Sequence, residues 1–457
     1  MLGCGSIGQG VLPLICRHIE MPAERILIVT ADARGAAVAA EYGVVHIIRP
    51  ITAENHAAVL GPMLAAGDFL LNLSVDVSSV ALVRLCRDRG ALYLDTCVEP
   101  WAGGYIDPSL SVPERTNYAL RESAVALRRP DANDPTAVMA HGANPGLVSH
   151  FVKQALLNIA ADIGAGLAVP STREEWARFA ASLGVKVIHI AERDTQKAAT
   201  PKQRGEFVNT WSIDGFVGEG NQPAELGWGT HERALPVDAH RHDFGCGAAI
   251  YLNRRSAATR VRSWTPLEGS FHGFLITHNE SISIADYFTA FENGAAYYRP
   301  TVHYAYHPCD DAVLSLHELA GKNWRMQAAQ RLLMQEITGG VDELGVLLMG
   351  HARGAYWYGS RLSIEEARRL VPHNNATSLQ VTAAVLGGIV WAIEHPAAGV
   401  VEADHLGHAR VLEIAGPYLG ELIGEYSDWT PLFDRGSLFP EAVDADCPWQ
   451  FSNFRVN

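Results

Sequence analysis

The chain starts Met1-Leu2 and passes at once into Gly3-Cys4-Gly5-Ser6-Ile7-Gly8. This GxGxxG spacing constrains the fold more than any other stretch. In such a loop the first glycine permits a tight turn and the second lets a pyrophosphate approach the backbone. The third lets the following helix pack closely, and the helix N-terminus attracts the phosphates. The spacing alone is a weak signal, so its context matters. A helix is predicted from Ser6 towards His18 and a buried strand over Arg25 to Thr30, with an acid, Asp32, just beyond. That context predicts a dinucleotide site using Gly3, Gly5, Ser6, Ile7 and Gly8, with Asp32 placed for the ribose hydroxyls. The absence of a basic cluster at Asp32 favours NAD over NADP, although Arg34 keeps the second open. Only two residues precede the loop, so the first strand is expected to be truncated and the natural reading frame to begin upstream.

Short apolar runs alternate with helical segments through the first 140 or so residues. Val44–Ile48, Phe69–Leu73 and Ala91–Asp95 read as strands, and Ala36–Tyr42 as a helix. This predicts an α/β fold: an N-terminal Rossmann domain with a doubly wound parallel sheet over residues 1–143. Beyond Asn144 the texture changes. Ser171-Thr172-Arg173-Glu174 reads as a capping box. Strands are predicted at Val185–Ile190, Glu206–Trp211, Phe274–His278 and Val346–Met349. An α+β catalytic domain with a large mixed sheet is expected over 144–375. The remaining segment, 376–457, with a long buried helix over Ser378–Ile393, is expected to pack back on the Rossmann domain.

The formal net charge is −14. That argues against nucleic acid, which demands a basic face, and favours a cationic ligand. Seven cysteines occur with no CxxC pair, a pattern that suits reduced thiols in the cytoplasm. No secretory signal and no membrane span are read from the sequence.

A set of distinctive short segments follows in order along the chain: Asn72-Leu73-Ser74-Val75-Asp76, Asp95-Thr96-Cys97-Val98-Glu99-Pro100-Trp101, Gly142-Ala143-Asn144-Pro145-Gly146 and His189-Ile190-Ala191-Glu192-Arg193-Asp194. Asn209-Thr210-Trp211-Ser212, Pro223 to Gly229, Thr277-His278-Asn279-Glu280-Ser281, Asp342 to Val346 and Pro448 to Phe451 continue it. Together, over the whole chain, these segments resemble those of bacterial homospermidine synthases, within the saccharopine dehydrogenase-like superfamily. The resemblance implies NAD held as a recycled prosthetic group. It implies an aminobutyl group passed from putrescine, or spermidine, to putrescine with release of ammonia, or of diaminopropane. A cytoplasmic homodimer is also implied. Asn72, Ser74, Thr96, Ala143 and Asn144 are the further cofactor contacts it suggests. Without gaps the family's ribose-binding acid falls on Thr30, and a two-residue shift returns it to Asp32, so both stand as candidates.

The resemblance proposes Asp76, Glu99, Glu192, Glu219 and Asp342 as the anionic set that binds the diamine. Clustered carboxylates repel one another and raise their own pKa values until cations arrive. Trp211 faces the diamine in this scheme, where an indole face stabilises a cation by about 0.5–2 kcal/mol. His278 is the acid–base candidate, since imidazole titrates near working pH. Asn144 sits at the handover between domains, placed for the nicotinamide or the reacting amine, although Asn144-Pro145-Gly146 also reads as a plain helix start. Glu192, Glu219, Asn144, Trp211 and His278 are thus the catalytic set. The run His303-Tyr304-Ala305-Tyr306-His307 has paired histidines without the acid of a zinc helix, and reads as strand packing rather than a metal site. Cys97 has no paired base for nucleophilic catalysis. Two alternatives stand beside the synthase: a saccharopine- or carboxynorspermidine-dehydrogenase-like oxidoreductase that consumes NAD(P)H, and a non-catalytic NAD-binding regulator.

Overall fold

A computed structural model describes residues 1–129, 132–435 and 438–456. Two sheets organise them. In the first, Leu27–Thr30 pairs in parallel with Val45–Ile48, and Phe69–Asn72 with Leu92–Asp95. Ala137–Met139 continues that ladder, followed by Val400–Glu402. The two halves are joined by Leu2, which bridges in parallel to Val29 on one side and Asn72 on the other. The Leu2 amide donates to the Leu71 carbonyl at 2.8 Å, and the Val29 amide to the Met1 carbonyl at 2.9 Å. A two-residue strand therefore occupies the sheet's centre. In space the first six strands run third, second, first, fourth, fifth, sixth, which is the dinucleotide-binding order, and Val400–Glu402 adds a seventh beyond the sixth. The crevice at its switch point opens at the carboxyl end of Leu2, where the glycine loop lies.

The second sheet has eleven strands. Its centre is Val187–Asp194, buried along its whole length, with Thr301–His307 parallel on one side and Val341–His351 antiparallel on the other. The helices Leu147–Asp162 and Ala376–Glu394 cover one face through Phe151, Ala155, Ile159, Leu379 and Ala383. Phe451, Phe454 and Trp429 belong to the apolar clusters that seal the rest. Ala376–Glu394 is long and apolar enough to cross a membrane, yet most of it is buried inside this fold. It also crosses the first helix, Ser6–His18. Val11 and Ile15 meet Val385 and Ile389 there, and the Asn374 amide donates to the Gly10 carbonyl at 3.0 Å.

Three sequence expectations need correction. The strand near Phe274 ends at that residue; Leu275 to Thr277 form a loop, and His278 caps the helix Asn279–Tyr287. Leu275 and Ile276 are buried like strand residues, but the Ser281 amide turns back to the His278 carbonyl at 3.2 Å and starts the helix. The capping box lies one residue further on, with Thr172 as cap and Glu175 reaching back. Finally, residues 376–457 are not one unit on the Rossmann domain. Val400–Glu402 completes the parallel sheet, whereas Glu421–Ser427 and Arg455–Val456 join the large one.

Candidate functional site

A cavity of about 550 Å³ runs from the glycine loop, across the switch point, to the large sheet. At its nucleotide end the three glycines can be tested one by one. Gly3 has φ +89°, and a side chain there would strike the Leu73 carbonyl oxygen at 2.7 Å. A Cβ on Gly8 would meet the Gly3 carbonyl oxygen at 2.8 Å, whereas one on Gly5 would meet nothing within 4 Å. Gly3 and Gly8 therefore shape the turn, while Gly5 leaves the space into which a pyrophosphate would fit. Beyond it, Ser6 and Ile7 open a 13-residue helix that has no side-chain cap. Its free amides are the donors such a ligand needs. The residues present fit a dinucleotide.

Thr30 and Asp32 both line the cavity. The Thr30 hydroxyl is engaged internally, donating to the Asp32 carbonyl at 2.6 Å and lying 2.7 Å from His46 Nε2. Asp32 is 48% exposed and paired with Arg34 at 2.8 Å, and the Arg34 amide holds its carboxyl below the usual range. Of the two, Asp32 offers the charged group at the rim. Asn72 Oδ1 accepts from the Ser74 hydroxyl at 2.6 Å, so these two residues fix each other at the end of their strand. Thr96, Ala143 and Asn144 line the wall where the two domains meet.

The other end is acidic. Glu192, from the central strand of the large sheet, accepts from the Tyr304 hydroxyl and from Asn144 Nδ2, the latter at 3.1 Å. Burial pushes its carboxyl up to about 8 against the pull of those donors. The His278 ring, 4.7 Å from that of Tyr304, lies between two carboxylates. Its Nε2 is 2.9 Å from Glu219, on the helix Ile213–Asn221, and its Nδ1 is 3.2 Å from Glu280. Burial opposes a charge on the ring, but the two carboxylates outweigh it and raise its pKa well above the ordinary value, which favours the imidazolium form. Nearer the mouth, Glu99 is raised to about 8, by burial first, and its Oε2 accepts from the Asp76 amide at 3.2 Å. Asp76 is raised too, by partial burial and by Asp214. Trp211 adds an aromatic wall, and its indole N–H donates to the Tyr306 hydroxyl at 3.0 Å.

Of the predicted cofactor, substrate and catalytic residues, Asp342 alone does not line this cavity. It is fully buried opposite Asp194 and takes the hydroxyl of Thr377, which does line it. Direct contact between Asp342 and a diamine is therefore corrected to a place behind Thr377. Cys97 lines the cavity, but burial next to Glu99 and Glu219 raises its thiol well above the usual range, which keeps it protonated. Sequence reasoning overlooked Tyr304, Tyr306, Glu280, Thr377 and Asp214. Glu280 was within sight, two residues from His278. The tyrosines lay in a segment read only for its histidines.

The residues 1–138 match the family model described as the saccharopine dehydrogenase NADP binding domain, and 142–427 match the saccharopine dehydrogenase C-terminal domain. Across its full length the chain is 56% identical to a homospermidine synthase of Blastochloris viridis, covering 96% of that protein. It is 50% identical to one of Mesorhizobium japonicum, with the same coverage. Among solved structures, the homospermidine synthase of Legionella pneumophila in complex with NAD matches with a TM-score of 0.94 at 51% identity, covering 100% of this chain and 97% of the other. A saccharopine dehydrogenase of Saccharomyces cerevisiae shares the fold at a TM-score of 0.53 and 11% identity, over 93% of this chain and 98% of that one.

Proposed function

The chain belongs to the homospermidine synthase family and is an NAD-dependent enzyme, and from that premise we propose that its cavity joins two putrescines into homospermidine with loss of one ammonia. The reaction has no net oxidation or reduction: the carbon chain of one diamine leaves its nitrogen as ammonia and is bonded to a nitrogen of the second. Gly3, Gly5, Ser6, Ile7 and Gly8 would hold NAD, with Asp32 at its ribose, and the bound cofactor would supply a reversible hydride acceptor.

The protein's own groups do the rest. Glu192 and Asn144 hold the reacting nitrogen at the domain boundary, Glu192 as a proton acceptor with a pKa near 8. His278, charged between Glu219 and Glu280, holds a proton at Nε2 for the departing ammonia and orders Glu219 towards the far amine. Trp211 covers the cationic chain without a nucleophile that could trap it. Glu99 and Asp76 receive the dication at the mouth. A single observation carries this reading. Among the described residues the substrate end is lined by Asp76, Glu99, Glu192, Asp214 and Glu219, and its only cation is His278; Arg34 and Arg49 lie with the Thr30 and Asp32 strand end. A site for an oxo acid, as in a saccharopine-type dehydrogenase, needs the opposite charge.

Protein incubated with putrescine and catalytic NAD is expected to yield homospermidine and ammonia in equal amounts. NADH accumulating in proportion to turnover would reject the reading. A cytoplasmic homodimer that binds neither nucleic acid nor membrane belongs to the same proposal. It is supported by the family resemblance and the charge of −14; light scattering that returned a monomer mass would remove the dimer.

A further inference from the structure

The strand Thr301–His307 alternates faces, as every strand does. Its histidine side looks away from the cavity: His303 rests 4.0 Å from the ring of His189, and packs against Phe451 and Phe454. Its tyrosine side looks inward. Tyr304 and Tyr306 are two residues apart, with ring centroids 5.1 Å apart and planes within 19° of parallel. The Tyr304 hydroxyl donates to Glu192 Oε2, the same oxygen that accepts from Asn144. The Tyr306 hydroxyl accepts from the Trp211 indole N–H at 3.0 Å. Phe216 wedges against both Trp211 and Tyr306, at 5.2 and 5.6 Å between ring centroids, and closes a triangle around the indole.

We propose that Tyr304 and Tyr306 are a pair of positioning residues for the diamine, one fixing the carboxylate that takes an amine and the other the indole that covers its carbon chain. The inference rests on reading the cavity as a diamine site. Its physical content is that a single strand sets the spacing between an anion and a π-face, the two features a cationic chain must meet together. Both tyrosines are buried, so neither hydroxyl can exchange its partner for bulk water at no cost.

The two arms differ in what they do to charge. Facing Glu192 are Tyr304 and Tyr306 from this strand, His278 at the head of the next helix, Asp194 on its own strand, Asp342 from the neighbouring strand, and the Asn144 amide. Tyr304 favours the ionised carboxyl; Asp194 opposes it. Removing the Tyr304 hydroxyl therefore makes Glu192 hold its proton to higher pH. Tyr306 bonds the indole, and its hydroxyl can be removed without taking a donor from Glu192.

The test compares Y304F and Y306F with the parent chain, each with NAD bound. It follows the pH dependence of kcat/KM for putrescine and, independently, putrescine binding by calorimetry. For Y304F the acid limb is expected to move up by about one pH unit, an approximately tenfold loss at neutral pH that recovers in alkali. For Y306F, KM should rise several-fold with the limb unmoved and kcat changed less. Fluorotyrosine at 304, a stronger donor, should move the limb the other way, which guards against a Y304F chain that fails to fold. An unmoved limb in Y304F or with fluorotyrosine, an equal shift in Y306F, or unchanged putrescine binding in both Phe variants would overturn the pairing. A parent chain that makes no homospermidine would instead overturn the diamine reading itself.

Discussion

Glu99 and Glu192 sit in water-poor positions with no lysine or arginine among the described residues lining their end of the cavity, and both carboxyls are raised to about 8, burial being the largest cause. Near neutral pH the empty site thus retains protons that ordinary carboxyls would have lost. An arriving diammonium ion favours the ionised forms, so binding must expel them. Calorimetry of putrescine binding in buffers of different ionisation enthalpy is expected to show net proton release near neutral pH that fades well above pH 8. Glu99→Gln should lower the number released. Heats independent of the buffer would show that these groups are already ionised. Most of this site could be named from the sequence because its acids lie in short recognisable segments. What could not be named depends on register. Tyr304 meets Glu192 only because Thr301–His307 pairs in parallel with Val187–Asp194, and nothing local reports that pairing. Asp342 shows the converse, a matched segment whose carboxylate sits behind Thr377.

At the level of elements, the glycine loop separates two kinds of small residue. Gly8 is needed by the protein itself, since a methyl group would collide with the Gly3 carbonyl. Gly5 faces open space, so a methyl there collides only with a bound cofactor. Gly5→Ala should therefore melt at the parent temperature without NAD, yet lose most of the rise in Tm that NAD gives. Gly8→Ala should melt lower even without NAD. Equal behaviour of the two variants in both conditions would refute the division. The loop was legible because its reasons are local: a turn, a close approach and a helix start. The strand expected at Phe274–His278 was misread because Leu275 and Ile276 are as apolar and as buried as strand residues, and periodicity cannot see the chain turning into a cap at His278.

The molecule as a whole was legible in class but not in closure. A strand at Val400–Glu402 completes a sheet begun at Leu2, and Arg121, buried against Glu402 and Asp286, ties that edge to the helix headed by His278. Such long-range closure leaves no periodic trace in the sequence. It also buries many ionisable groups of both kinds, with opposite consequences for stability. His303 is held neutral by burial, with its pKa lowered from 6.5 to about 3. Between those values the unfolded chain binds the proton and the native one does not, so stability falls as pH drops through that window. Glu225 receives the amides of Asn117 and Tyr118 and the Thr277 hydroxyl, but burial raises its pKa from 4.5 to about 7. There the native state keeps the proton, so stability falls as pH rises through the window. Each group contributes a slope of about 1.4 kcal/mol per pH unit, of opposite sign, where the windows overlap. His141 and His405, lowered to about 4, act like His303, while Glu232, raised to about 7, acts like Glu225. The two kinds of group oppose each other between about pH 5 and about pH 6.5, so the parent chain should lose less stability per pH unit there than its buried histidines alone would cost. Single replacements should tip that balance. Relative to the parent, His303→Phe should gain stability steadily as pH falls through that range, whereas Glu225→Gln should gain as pH rises. Melting curves taken at intervals across the window read these relative slopes whatever constant offset each substitution brings. Parallel curves for parent and variants would mean that neither group changes its proton affinity on folding.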